Sequence, residues 1–122
     1  MANVINWFEI PATDFDRAKK FYSEVLEGEM HINECMGVKM AFFPMEGDGV
    51  GGAICTGEGY TPSASGAKVY LSGGEDLSAS LARVEKAGGK VVMPKTKISD
   101  EVGYMAFFID TEGNNVAFHS PK

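Results

Sequence analysis

Met40-Ala41-Phe42-Phe43 and Met105-Ala106-Phe107-Phe108 are one phrase met twice, about 65 positions apart. Each copy is followed by a Glu-Gly pair, Glu46-Gly47 or Glu112-Gly113, and then by an apolar return. Self-similarity at a fixed period marks a duplicated supersecondary unit. The 122 residues fit one domain, because half that length alone would bury too little surface to be robust.

The rest of the chain falls into two matching halves. Val4 to Ile10 alternates as a strand that Pro11 ends. Thr13 is then the expected N-cap of a helix with acidic residues in its first turn. Ala18, Phe21, Tyr22 and Val25 form its apolar stripe and Gly28 its stop. Met30–Met36, Val38–Phe43 and Ala53–Cys55 read as three strands. After an aperiodic stretch, Lys68–Ser72 reads as a strand and Leu77, Leu81 and Val84 as a helix face closed by Gly88-Gly89. Lys90–Met93, Gly103–Ile109 and Asn115–Ser120 complete three more strands. The expected fold is α+β, with two tandem βαβββ modules: residues 1–56, a connector 57–66, and residues 67–122. Neither module could bury its sheet alone. Paired, their sheets can curl into a mixed β-sheet cup with the helices outside.

A net charge of −6 without clustered Lys or Arg disfavours a nucleic-acid or anionic-membrane surface. No apolar run approaches the roughly 20 residues that span a bilayer, and the N-terminus lacks a signal-peptide layout, so the expected location is cytoplasmic. Cys35 and Cys55 read as free thiols, Cys55 in the core and Cys35 at a strand end or in a loop.

The phrase Asp14-Phe15-Asp16-Arg17-Ala18-Lys19-Lys20-Phe21-Tyr22 with its Leu26-Glu27-Gly28 ending, the paired modules, and Asp110-Thr111-Glu112-Gly113-Asn114 before the last strand resemble the vicinal oxygen chelate superfamily. That superfamily includes glyoxalase I, extradiol dioxygenases, fosfomycin resistance enzymes and bleomycin-binding proteins. The resemblance implies a small-molecule cavity, a homodimer and, in most enzymes of the group, a divalent metal held by His, Glu or Gln. Its ligand positions fall here on Trp7, Lys68, Ala117 and the stretch Gly52 to Ile54. An indole and an alanine cannot ligate, and a protonated lysine has no lone pair to give. The expectation is therefore no metal and no other cofactor.

Alternation puts Glu9 on the face of Trp7 and His119 on the face of Ala117, each two residues beyond an empty ligand position. If they meet, they form a general acid/base pair suited to lyase or isomerase chemistry. The alternatives are a displaced half of a metal site, or a His119 that makes one ordinary hydrogen bond. Trp7, Tyr70 and Tyr104 are expected to line the cavity with flat surface, and Lys68 to add positive charge. Asp100 is expected on a mobile loop over the mouth. Such a lining suits a small aromatic or anionic molecule. It leaves open a glyoxalase-like enzyme, a non-catalytic drug-sequestration protein of the bleomycin-resistance type and, third, a metal-dependent glyoxalase I or dioxygenase.

Overall fold

The computed structural model describes residues 3–122. The order is β1 (Trp7–Pro11), α1 (Phe15–Leu26), β2 (His31–Cys35), β3 (Val38–Phe42), β4 (Gly51–Thr56), β5 (Tyr70–Ser72), α2 (Ser78–Lys86), β6 (Lys90–Ser99), β7 (Gly103–Ile109) and β8 (Asn115–Ser120). Two four-stranded sheets result, ordered β1-β4-β3-β2 and β5-β8-β7-β6. In each, the first and last strands of the module are parallel neighbours and the other pairs are antiparallel. This is the duplicated βαβββ architecture, open rather than closed into a barrel.

One face of each sheet builds the common core. Ile10, Ala41, Phe43 and Ile54 from the first sheet join Leu71, Ala106, Phe108, Val116 and Phe118 from the second. The apolar stripe of α1 lies among them, with Phe21 against Phe108 at 6.0 Å between ring centroids. Arg83 of α2 donates from Nε to the Val25 carbonyl at the end of α1, 2.8 Å away. The helices thus occupy one side of the sheets. The other side carries Trp7, Glu9 and Phe42 from one module and Tyr70, Phe107 and Ala117 from the other, and we call it the cup face.

Several boundaries differ from the sequence reading. Asp14, not Thr13, caps α1, its side chain accepting from the Arg17 amide. Thr13 is held instead by a carboxylate from the far module, Glu112. The left-handed residue that ends α1 is Glu27, at φ 51°. Gly28 instead permits a close approach, since a methyl there would lie 2.7 Å from Pro44. Met36 and Gly37, both at positive φ, make the tight turn between β2 and β3. The largest difference is β6. Lys95 to Ser99, read as loop, continues the strand through register shifts that flank Pro94, which has no N–H to give to a ladder.

Candidate functional site

β1 and β5 are edge strands of separate sheets, and they line the same cavities. Ile5 and Phe8 share one cavity with Lys68 to Ser72, while Glu9 to Pro11 share another with Gly66, Ala67 and Val69. The two strands therefore run past each other in opposite senses along a seam. Register shows which residues correspond across it. Phe42 faces Ala53 as Phe107 faces Ala117, and Ala53 faces Glu9 as Ala117 faces Tyr70. Trp7 then corresponds to Lys68, and Cys55 to His119.

On the first module, Trp7 packs edge-on against Phe42 at 5.8 Å. Gly51 leaves the indole room, since a methyl there would lie 3.2 Å from it and push it by a few tenths of an ångström. The indole N–H donates to Glu9 Oε2 at 3.3 Å, and the Tyr60 hydroxyl donates to Glu9 Oε1 at 2.7 Å. Both oxygens of Glu9 thus receive hydrogens. That bond pushes the Tyr60 phenol up to about 12, because the neighbouring carboxylate stabilises the protonated form. Burial, reinforced by Glu9, pushes the Cys55 thiol up to about 12 as well. Cys55 is a core thiol and no nucleophile at neutral pH.

On the second module, the Lys68 ammonium lies 4.1 Å from the centre of the Phe107 ring. Tyr70 meets the same ring edge-on at 6.1 Å, and its hydroxyl finds only Met105 Sδ, at 3.8 Å. His119 Nε2 lies 2.5 Å from the Val102 carbonyl. A carbonyl can only accept, so Nε2 carries the hydrogen.

Of the residues expected in one cavity, the structure brings some together and separates others. Trp7, Glu9, Lys68 and Tyr70 share the cup face along the seam. Glu9 and His119 do not meet: Glu9 turns to Tyr60, and His119 to Val102 in a depression with Tyr70, Ser72 and Ile98. Because β1 and β5 run in opposite senses, a step of two residues past each ligand position leads to opposite ends of the seam. Tyr104 lies on the helix side with Ala106, against the core, with the Lys95 ammonium 4.7 Å from its ring. Asp100 does not line the cavities of the β1–β5 seam but a separate polar depression with Lys95, Lys97 and Tyr104. It stands at the tip of the β6–β7 hairpin and pairs with Lys97. Tyr60 was missed, because nothing in an aperiodic connector marks one tyrosine as the partner of a carboxylate 51 residues away.

Register also sharpens the metal positions. The fourth, within Gly52 to Ile54, falls on Ala53, the counterpart of Ala117. Trp7, Ala53, Lys68 and Ala117 offer no lone pair to a cation, and among the described residues no group of three His, Cys, Asp or Glu converges. The residues present do not fit the superfamily's metal.

The model of the Glyoxalase/Bleomycin resistance protein/Dioxygenase superfamily matches residues 4–118. A glyoxylase-like domain-containing protein from Didymella fabae is 36% identical over 121 residues, covering 93% of this chain and 90% of that protein. Among solved structures, a glyoxalase I mutant from Zea mays superposes with a TM-score of 0.72 at 19% identity. The match covers 94% of this chain but 46% of the maize chain, so the present chain spans about half of that enzyme. An antibiotic binding protein from Streptomyces sp. CB03234 superposes with a TM-score of 0.66 at 21% identity, over 100% of this chain and 99% of its own. With the motif residues, the duplicated modules and the family match all in agreement, the chain belongs to the glyoxalase/bleomycin resistance protein/dioxygenase superfamily.

Proposed function

We propose that this protein binds a small, flat organic molecule on its cup face and does so without the divalent metal of its enzymatic relatives. The observation that carries this reading is the content of the four family ligand positions: Trp7, Ala53, Lys68 and Ala117. Where a chelating set would stand, two aromatic pairs stand instead, Trp7 with Phe42 and Tyr70 with Phe107. Trp7 is 44% exposed and Tyr70 48%, so each offers a ring face to a guest. Rigid aromatic rings bind flat molecules at little cost in side-chain entropy. The reading also agrees with the likeness to an antibiotic-binding protein of the same length. The separation of Glu9 from His119 favours binding over acid–base turnover, since a concerted pair must reach one substrate atom.

Two measurements test it. Metal content of protein purified without chelators or a metal-affinity tag should be far below stoichiometric; one equivalent of zinc, nickel or iron would sink the metal-free reading. Trp7 is the chain's single tryptophan, so its fluorescence reports on the site directly. Flat heteroaromatic compounds should quench it saturably, and Tyr70→Ala should weaken binding about tenfold, the worth of one stacking contact.

A further inference from the structure

The seam between β1 and β5 is closed at one end and open at the other. At the closed end, the turn before β8 reaches across to the first module. Asn114 Nδ2 donates to the Pro11 carbonyl at 2.7 Å, and Glu112 receives the Thr13 and Asp14 amides, leaving a space of only ≈ 180 Å³. The corresponding turn of the first module, Pro44 to Val50, has no Asp-x-x-Gly-Asn to reach back with. At that end a slot of ≈ 620 Å³ remains.

The slot has a consistent chemistry. Phe8, Leu26, Phe43, Val69 and Leu71 give it apolar walls. The Phe8 ring lies flat over Gly52, where a methyl would run into it, and so is held against its own sheet. Lys68 is the one charged side chain among the described lining residues, and it forms no ion pair among the described residues although the chain carries a net charge of −6. Beside it, the Tyr70 hydroxyl has only a thioether partner, a weak acceptor that a better one would displace. An apolar slot with one cation and one available donor at its rim complements a molecule with an apolar body and a single anionic head. The volume falls within the roughly 300–1,000 Å³ of small-molecule sites.

We infer that the slot is a second binding site, taking an amphipathic organic monoanion with its carboxylate at Lys68 and Tyr70 and its aliphatic or aryl body between the two sheet edges. It shares Lys68 and Tyr70 with the cup face, but its apolar walls, Phe8, Leu26, Phe43, Val69 and Leu71, lie on the helix side of the sheets and exclude Trp7, so a guest in the slot is distinguished from one on the cup face by leaving the Trp7 fluorescence unquenched.

The probes are decanoate, decanol and decyltrimethylammonium, which share one apolar body and differ in the head. Each is titrated against anilinonaphthalene sulfonate bound to the folded protein, with circular dichroism confirming the fold of every variant. Decanoate should displace the dye at concentrations about tenfold below decanol, and decyltrimethylammonium should be weaker still. Lys68→Met should erase the advantage of decanoate over decanol, whereas Lys97→Met, on the distant hairpin, should preserve it. Ser72→Trp, at an exposed position on the slot, should block decanoate and decanol alike. Equal affinities for the anionic and cationic heads, or decanoate binding that survives Ser72→Trp, would overturn the proposal.

Discussion

Glu112 keeps its side chain almost wholly out of water and accepts from the Thr13 and Asp14 amides, from Arg17 Nε and from the Thr111 hydroxyl. Burial pushes its carboxyl up, but the Arg17 bond and the two amides outweigh that, and the group is held below the usual carboxylate range. The unfolded chain therefore binds this proton more tightly than the folded one. The stabilisation is complete above the ordinary glutamate value of about 4.3 and is lost as pH falls through the lower, folded-state value. Glu112→Gln should cost about 2–3 kcal/mol in urea unfolding at pH 7 and flatten the acid limb of the stability curve; an unchanged acid limb would show that the carboxylate charge is not what matters. The thiols give a second check. Cys35 is exposed and Cys55 buried, so a thiol reagent at pH 8 should modify one group rapidly and the other only after denaturation.

At the scale of elements, the connector is where the sequence says least. Tyr60 ties residues 57–66 to β1 through Glu9, and the Ser63 amide ties them to Asn114. Tyr60→Phe should speed amide exchange across the connector by about tenfold, the loss of one charge-assisted bond, while leaving β4 and β5 protected. Both helices and all eight strands were legible from sequence in kind and order, because the apolar residues of most of them recur with the period of the element they form. The second half of β6 was not legible. It is a bulged edge strand that mostly meets water, so Lys95 to Ser99 carries no core pattern. Tyr104 could have been placed correctly: it alternates with Met105 and so shares the side of Ala106 and Phe108. Glu9 and His119 could not, because alternation tells which face a side chain takes but not in which sense two sheet edges pass each other.

At the scale of the whole molecule, the modules are duplicated in sequence but not independent in energy. Phe21 of the first packs on Phe108 of the second, and the buried Tyr22 hydroxyl donates to Asp110 at 2.7 Å. Burial and that neighbouring carboxylate hold the Tyr22 phenol well above its ordinary value. Residues 67–122 expressed alone should show no cooperative thermal transition, and adding residues 1–66 in trans should restore one; a stable isolated second module would contradict the shared core. The clamp at Glu112 and Asn114 has a further consequence. Two halves that share one core as well as this clamp are held at a single relative angle. A bulkier guest at the unpinned end would then be met by movement of side chains at the slot's rim rather than by a wider angle between the halves. Structures with a short and a long guest should superpose over both modules together and differ only in those side chains.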